Sequence, residues 1–517
     1  MKRRISVLSL MAGLLVLAFF TGGWLKRPEP AANNNVYQQA RLFETVLSAI
    51  RRSYVDSISE PDLYFRATTG IVDHLHDPYS ALLVDGAYRK YENDLSGSYV
   101  GLGLQLDLRA GAVVVAAVDP DSPAEHDGIL PGDRIMSIDG RPTKGLNVGQ
   151  ASEALQGEPG TEVTLVIRRV GEPDATHRLA RRMVHVRAAS PGILLPDSIG
   201  VVTLSRITAT SARELRESVD SLRGEGMKAL VLDLRYNPGG VLSQGVAVAD
   251  LFLDRGELVA TLRGRNPGDV TAFRAEQDQA WPGLPLAVVV NGGTASSAEI
   301  IAAALQDHDR AVVVGTQSYG KGAVQSTIPL GDGLALKLTT ARWYAPSGRT
   351  VQRPGQFPRD GAGAPPDTSD AQRFYSDSGR PLDNAAGIIP DLRATPQQLT
   401  APEAAFRHEL GGELSRYYDL LTAFAQELRE SETPPDSNFQ VTAQLRADFR
   451  MRMEREGLMV PRSVFEGARS MIDRDLEEAI AQELFGPTVA ARRAVVHDRQ
   501  IQAAVRALAD SALAVTP

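Results

Sequence analysis

The chain has 517 residues, 43% hydrophobic and 23% charged, an ordinary globular composition with room for about three or four domains. Its formal net charge of −8 argues against nucleic acid as the main partner, because phosphate binding needs a basic face. Cysteine is absent, which excludes disulfides, a thiol nucleophile and cysteine-ligated metals.

Lys2, Arg3 and Arg4 precede an uncharged, largely apolar run over residues 5–25. A basic flank before such a run is an export signal, and its length suits a bilayer span. Residues 1–30 are therefore read as a signal peptide or membrane anchor, with the bulk of the chain in the periplasm or cell envelope. No clean cleavage site follows, so an anchor in the inner membrane is favoured. Residues 31–94 read as a Pro/Asn-rich linker and a helical segment, with Leu42, Val46, Ile50 and Tyr54 at helical spacing. Residues 95–178 carry short strands and turns. Residues 179–400 alternate apolar strands with helices, which implies βαβ units and a largely parallel sheet. Within them, 353–386 is a polar, Pro/Gly/Asp-rich stretch expected to be an exposed loop. Residues 401–517 are helix-rich and charged.

Two constellations carry chemistry. Thr294-Ala295-Ser296-Ser297-Ala298-Glu299 follows the apolar strand Ala287-Val288-Val289-Val290 and opens a helix. A serine at such a turn is exposed for attack, and helix N–H groups can meet a developing oxyanion. Ser296 and Glu299 also fit a capping box, so this segment alone leaves helix cap and nucleophile both open.

The second is Gly320-Lys321-Gly322-Ala323-Val324-Gln325. Only seven of the 55 Lys+Arg residues are lysine, so a lysine between two glycines stands out. A desolvated lysine can act as a base, whereas arginine cannot give up its proton. Strand alternation would point Lys321, Ala323 and Gln325 the same way, letting the Gln325 amide orient the amine. Gly315 to Lys321 also matches Gly-x-x-x-x-Gly-Lys of a phosphate loop. However, Gly322 stands where the magnesium-binding hydroxyl belongs, and strand rather than helix follows.

Together these segments resemble the carboxyl-terminal processing proteases, tail-specific serine peptidases of the Ser-Lys or Ser-Lys-Gln type. Asp233-Leu234-Arg235-Tyr236-Asn237-Pro238-Gly239-Gly240 and Gly387-Ile388-Ile389-Pro390-Asp391 resemble two further family segments. Thr294 departs from the more usual serine. The resemblance implies Ser296 as nucleophile, Lys321 as general base and Gln325 as third member. It implies an oxyanion hole from Gly239 or Gly240 together with Ser297. It makes 95–178 a PDZ-like domain, with Val100, Gly101, Leu102, Gly103 and Leu104 as its carboxylate-binding loop.

The expected fold class is an α+β and α/β multidomain chain. It comprises an N-terminal helical segment, a PDZ-like β module, an α/β serine protease core and a helical C-terminal extension. The expected function is exported endopeptidase activity near the C-terminal tails of proteins, with substrate presented or gated by the PDZ domain. The alternative is a peptide-binding module on an inactive protease scaffold. No cofactor or metal is expected. Expected partners are protein substrates with accessible C-termini, the membrane through residues 5–25, and further copies of the chain. The C-terminal helices are expected to mediate oligomerisation or to cover the active site.

Overall fold

The computed structural model describes residues 36–109, 111–169, 172–331, 333–353, 373–383, 386–429, 431 and 435–514. The apolar run 5–25 and most of the expected 353–386 loop lie outside them. Among the described residues no helix is long and apolar enough to cross a membrane.

The chain divides into two units, residues 1–75 and 76–517. The first contains α1 (Val36–Ser53) and α2 (Glu60–Asp73). The Ser59 side chain caps α2 by accepting the Asp62 N–H. Leu47 is the buried residue of α1, whereas Leu42, Val46 and Tyr54 of the expected stripe stay exposed. Periodicity found the helix but not the face it buries, which depends on a packing partner.

The second unit begins with β1 (Ala81–Val84), α3 (Asp85–Ser96) and β2 (Ser98–Gly101). A β module follows with β3 (Leu104–Arg109), β4 (Ala112–Val118), β5 (Arg134–Ile138), α4 (Val148–Leu155), β6 (Glu162–Arg168) and β7 (Ala175–Ala180). Its sheet runs β3-β4-β5-β6-β7, around a core containing Leu102, Val113, Ile135 and Leu165. β2 stands outside that sheet and pairs antiparallel with β8 (Arg182–His185).

The α/β core contains β9 (Ile199–Thr203), α5 (Ser211–Gly224), β10 (Ala229–Asp233), α6 (Leu242–Asp250), β11 (Leu258–Arg263), β12 (Val270–Arg274), β13 (Leu286–Val290), α7 (Ser297–Asp307) and β14 (Val312–Gly315). β9, β10, β13 and β14 lie side by side, all parallel, as strand–helix alternation predicts. β15 (Ala323–Gly331) and β16 (Leu334–Tyr344) form a hairpin in a second, antiparallel sheet with β1, β11 and β12.

The parallel strands are apolar without alternation, so both faces need cover. Leu230, Leu232, Val288 and Val290 enter the core shared with the helices α5, α6 and α7. Val231, Ala287, Val289 and Val314 face the other way and pack with Ile501, Ala504 and Leu508. Those three belong to α14 (Arg499–Ala514), the last helix. Burying Ile501 and Leu508 contributes roughly 1.5–3 kcal/mol each.

The end of the chain thus covers the second face of the parallel sheet. In chain order, α8 (Ala401–Leu410), α9 (Leu414–Arg429), α10 (Ala443–Arg455), α11 (Arg462–Gly467), α12 (Arg469–Phe485) and α13 (Pro487–His497) come before α14. Phe406, Tyr417, Phe449 and Phe465 anchor a separate core within α8 to α12.

Candidate active site

Ser296 sits between β13 and α7 with φ 58° and ψ −123°, a conformation that costs a non-glycine residue about 1–3 kcal/mol. The surroundings over-determine it. The Thr294 hydroxyl donates to the Leu234 carbonyl at 2.8 Å and accepts the Asn291 N–H at 3.0 Å. Either serine or threonine supplies that hydroxyl, which accounts for the departure from the family pattern. The Ala295 N–H donates to the Asn237 carbonyl at 2.8 Å, locking this turn to the Asn-Pro-Gly-Gly turn.

Glu299 does far more than cap a helix. It is fully buried, and its carboxylate accepts four hydrogen bonds. Oε2 takes the Ser296 N–H and the Lys321 N–H, both at 2.9 Å. Oε1 takes the Ser318 hydroxyl at 2.5 Å and the Gly320 N–H at 2.7 Å. Burial pushes the carboxyl pKa up, while the Ser318 hydroxyl and the N–H groups oppose that. Since every neighbour donates, the ionised form is the one that satisfies them. One carboxylate therefore ties the serine turn to the lysine loop. The sequence shows Glu299 only as a capping residue, and nothing in its spacing reveals the partners 19 to 22 residues on.

The closing segment has a similar bracing task. The Ser318 hydroxyl accepts the Ile388 N–H at 2.6 Å, and Asp391 accepts the Val313 N–H at 2.8 Å. The Trp343 indole donates to the Lys321 carbonyl at 2.9 Å.

Ser296, Lys321, Gln325, Gly239 and Gly240 line one cavity of about 720 Å³. Lys321 is half-buried, and burial followed by the nearby positive charge of Lys337 lowers its pKa to about 8. Its ammonium lies over the Tyr79 ring, 4.7 Å from the centroid. Among the described residues no hydrogen bond joins it to Ser296 or to Gln325. The Gln325 amide donates instead to the Thr339 hydroxyl at 3.1 Å. Lys321, Ala323 and Gln325 all line the cavity, as strand alternation suggests, but Val324 lines it as well. Lys321 precedes β15, and the pairing with β16 slips between Val324 and Gln325. The slip lets Ala323, Val324 and Gln325 all reach the cavity.

The glycine turn closes tightly on the serine. A Cβ on Gly239 would lie 2.7 Å from the Ala295 carbonyl oxygen and 2.9 Å from the Ser297 nitrogen, at φ +84°. The Gly239 N–H already donates to Asn237 Oδ1 at 2.9 Å. Among the described residues the Gly240 and Ser297 N–H groups have no acceptor. Arg235, on the same turn, pairs with Asp498 at 2.8 Å and donates to Gln500 Oε1 at 3.1 Å. The last helix thus braces the glycine turn, although residues 401–517 carry no catalytic pattern.

The PDZ-like loop is arranged differently. Val100 and Gly101 close β2, Leu104 opens β3, and Leu102 is buried in the module's core. The Gly103 and Leu104 N–H groups face the Tyr99 phenol oxygen. That phenol donates to Asp119 Oδ2 at 3.2 Å, and its ring lies against Gly101. Burial, then the Asp119 charge, pushes the phenol pKa up.

His308 lies outside the cavity. It bonds Asp377 Oδ2 at 2.7 Å and the Leu258 carbonyl at 2.8 Å. Glu257, His308 and Asp377, and separately Asp121, Glu125 and His126, bring three potential metal-ligand atoms together, but neither group lines the cavity.

The family model described as peptidase family S41 matches residues 198–360, and the PDZ domain model matches residues 114–169. The PDZ match begins after the 100–104 loop. The chain is 36% identical over 329 residues to a carboxy-terminal-processing protease of Bartonella bacilliformis, covering 63% of this chain and 75% of that one. It is 32% identical over 310 residues to the carboxy-terminal processing protease CtpA of Bacillus subtilis, covering 60% and 66%. It is 30% identical over 352 residues to a probable CtpA-like serine protease of Staphylococcus haemolyticus, covering 68% and 69%. With this likeness across the PDZ module and the α/β core, the chain belongs to the carboxy-terminal-processing serine proteases of family S41.

Proposed function

We propose that this protease is an exported endopeptidase that cleaves proteins near their C-terminal tails, with Ser296 as nucleophile and Lys321 as general base. The observation that carries this reading is the shared cavity. It holds a strained serine beside two unpaired N–H groups, and a lysine whose burial brings its pKa to about 8. At pH 7 such a lysine is neutral in about one molecule in ten, against fewer than one in a thousand for a free lysine.

In the proposed reaction the lysine stem swings from the Tyr79 ring, and Nζ takes the Ser296 proton as Oγ attacks the scissile carbonyl carbon. The oxyanion forms beside the Ser297 N–H and the glycine turn, where the Gly240 N–H is the donor not otherwise engaged. Lys321 then protonates the leaving amine as the C–N bond breaks. Water, deprotonated by the same lysine, attacks the acyl-enzyme and releases Ser296. The Gln325 carbonyl oxygen would hold the neutral amine. A resting gap between nucleophile and base is compatible with activity, because catalytic hydrogen bonds often tighten only when substrate binds.

The decisive measurement is hydrolysis of an unfolded protein by the wild type, Ser296→Ala and Lys321→Ala. Both variants are expected to lose at least about 10⁴-fold in kcat. Equal, non-zero activity in all three would overturn the dyad. Export and anchoring through residues 5–25 rest on the basic flank and apolar run. They predict recovery of the full-length protein in the membrane fraction, with its protease domain accessible from outside the cytoplasm.

A further inference from the structure

The catalytic cavity is opposite in charge to the chain. Its charged lining is Lys321, Lys337, Arg206 and Asp94, in a chain of net charge −8. Asp94 is answered by Lys90 at 3.3 Å. Among the described residues neither Lys337 nor Arg206 has an ion pair or a side-chain hydrogen bond.

Lys337 is not a loose surface lysine. It lies within β16, in register with Ala81 of β1 on one side and Thr327 of β15 on the other. Its backbone is therefore held between two strands. Its ammonium lies 5.2 Å from the centroid of Tyr91, another cavity residue, whose hydroxyl accepts from Thr327 Oγ1 at 3.4 Å. Burial lowers the pKa of Lys337, and the Asp77 charge opposes this. Desolvating an ammonium costs free energy that an anion can offset, and a ring face offsets only part of it. In the proposed peptidase chemistry Lys337 helps depress the Lys321 pKa through its charge, but it touches neither the nucleophile nor the scissile bond.

We infer that Lys337, with Arg206 lining the same cavity, is a receptor for a carboxylate on the peptide substrate, seated in the cavity that holds Ser296. The carboxylate is either the chain-terminal group or an acidic side chain near the scissile bond. This inference rests on Ser296 being the nucleophile. It gives tail-directed cleavage a recognition element next to the chemistry, separate from the PDZ domain.

The test uses fluorogenic peptides in three versions: free C-terminal acid, C-terminal amide, and amide with an internal Asp replacing Asn. Wild type is expected to favour a carboxylate-bearing version over the plain amide by about tenfold in kcat/KM. Which version gains identifies the source of the carboxylate. Lys337→Met keeps an apolar stem and is expected to reduce that ratio to about one. Taking the ratio within each enzyme cancels any change in the Lys321 base.

Fluorescence anisotropy with Ser296→Ala, with and without Lys337→Met, reads the same preference in binding without turnover. Equal rates and affinities for all three peptides in the wild type would overturn the inference while leaving the nucleophile intact. So would a preference that survives Lys337→Met, which would assign it to the PDZ domain. Undiminished cleavage by Ser296→Ala would overturn the nucleophile itself, and the inference with it.

Discussion

Two glycine turns in this chain bring backbone N–H groups together, and they end differently. At Asn237-Pro238-Gly239-Gly240 the Gly240 and Ser297 N–H groups keep no protein acceptor among the described residues, beside a large cavity. At Gly101-Leu102-Gly103-Leu104 the Gly103 and Leu104 N–H groups face the Tyr99 phenol oxygen. The first turn is braced by the Ala295 N–H, and its Arg235 is held by Asp498 and by Gln500 of the last helix, so its donors can stay empty. The second meets a side chain from two residues upstream of the motif. The lesson is that the donors of a glycine-rich turn stay open to a ligand where neighbouring structure braces the loop without using them.

The strongest way to break this contrast is Gly239→Ala. The added Cβ meets backbone atoms at 2.7 and 2.9 Å, at a φ that disfavours alanine. The expected loss is about 10²–10³ in kcat, comparable to losing an oxyanion donor. Single-turnover acylation on a peptide ester checks it, and a rate within threefold of wild type would mean that this turn is not the oxyanion hole.

Next is Glu299→Gln. The amide NH₂ would face two groups that are themselves donors, leaving them unsatisfied at about 1–3 kcal/mol each. We expect kcat to fall about 10- to 100-fold with KM little changed. Removing a negative charge near Lys321 lowers the lysine pKa, so the acid limb of the pH profile should also move to lower pH. A residue with a purely structural role would lower the melting temperature without moving that limb.

The pH profile of the wild type is a sharper and smaller test. Below about 8 Lys321 is protonated and cannot take the Ser296 proton. The rate should rise about tenfold from pH 7 to pH 9 and then level. A profile flat across that range would exclude Lys321 as the base.

The smallest effect is expected at the closed turn. Tyr99→Ala removes the phenol from the Gly103 and Leu104 N–H groups. It should tighten binding of a free-acid peptide to the PDZ domain by about three- to tenfold, read by calorimetry. Weaker binding with unchanged melting would show that Tyr99 belongs to the peptide site rather than standing in its place.

Much of this was legible in the sequence because local rules carried it. Apolar runs such as Ala287 to Val290 were readable as buried strands, and Val148 to Leu155 as a helix. The scarcity of lysine singles out Lys321, and the same argument applies to Lys337, although no glycines flank it. The antiparallel pairing of β16 with β1, from segments some 250 residues apart, leaves no local signal.

By itself the sequence determined the family, the order of the modules and which serine and lysine to examine, because these reside in short ordered motifs and hydrophobic period. Only the tertiary structure decided that Glu299 joins the Ser296 turn to the Lys321 loop and that the last helix covers the sheet. It alone placed Lys337 in the cavity and Tyr99 against the PDZ turn. Each of these depends on groups distant in sequence meeting at hydrogen-bonding or van der Waals distance, and such meetings are set by packing rather than by spacing along the chain.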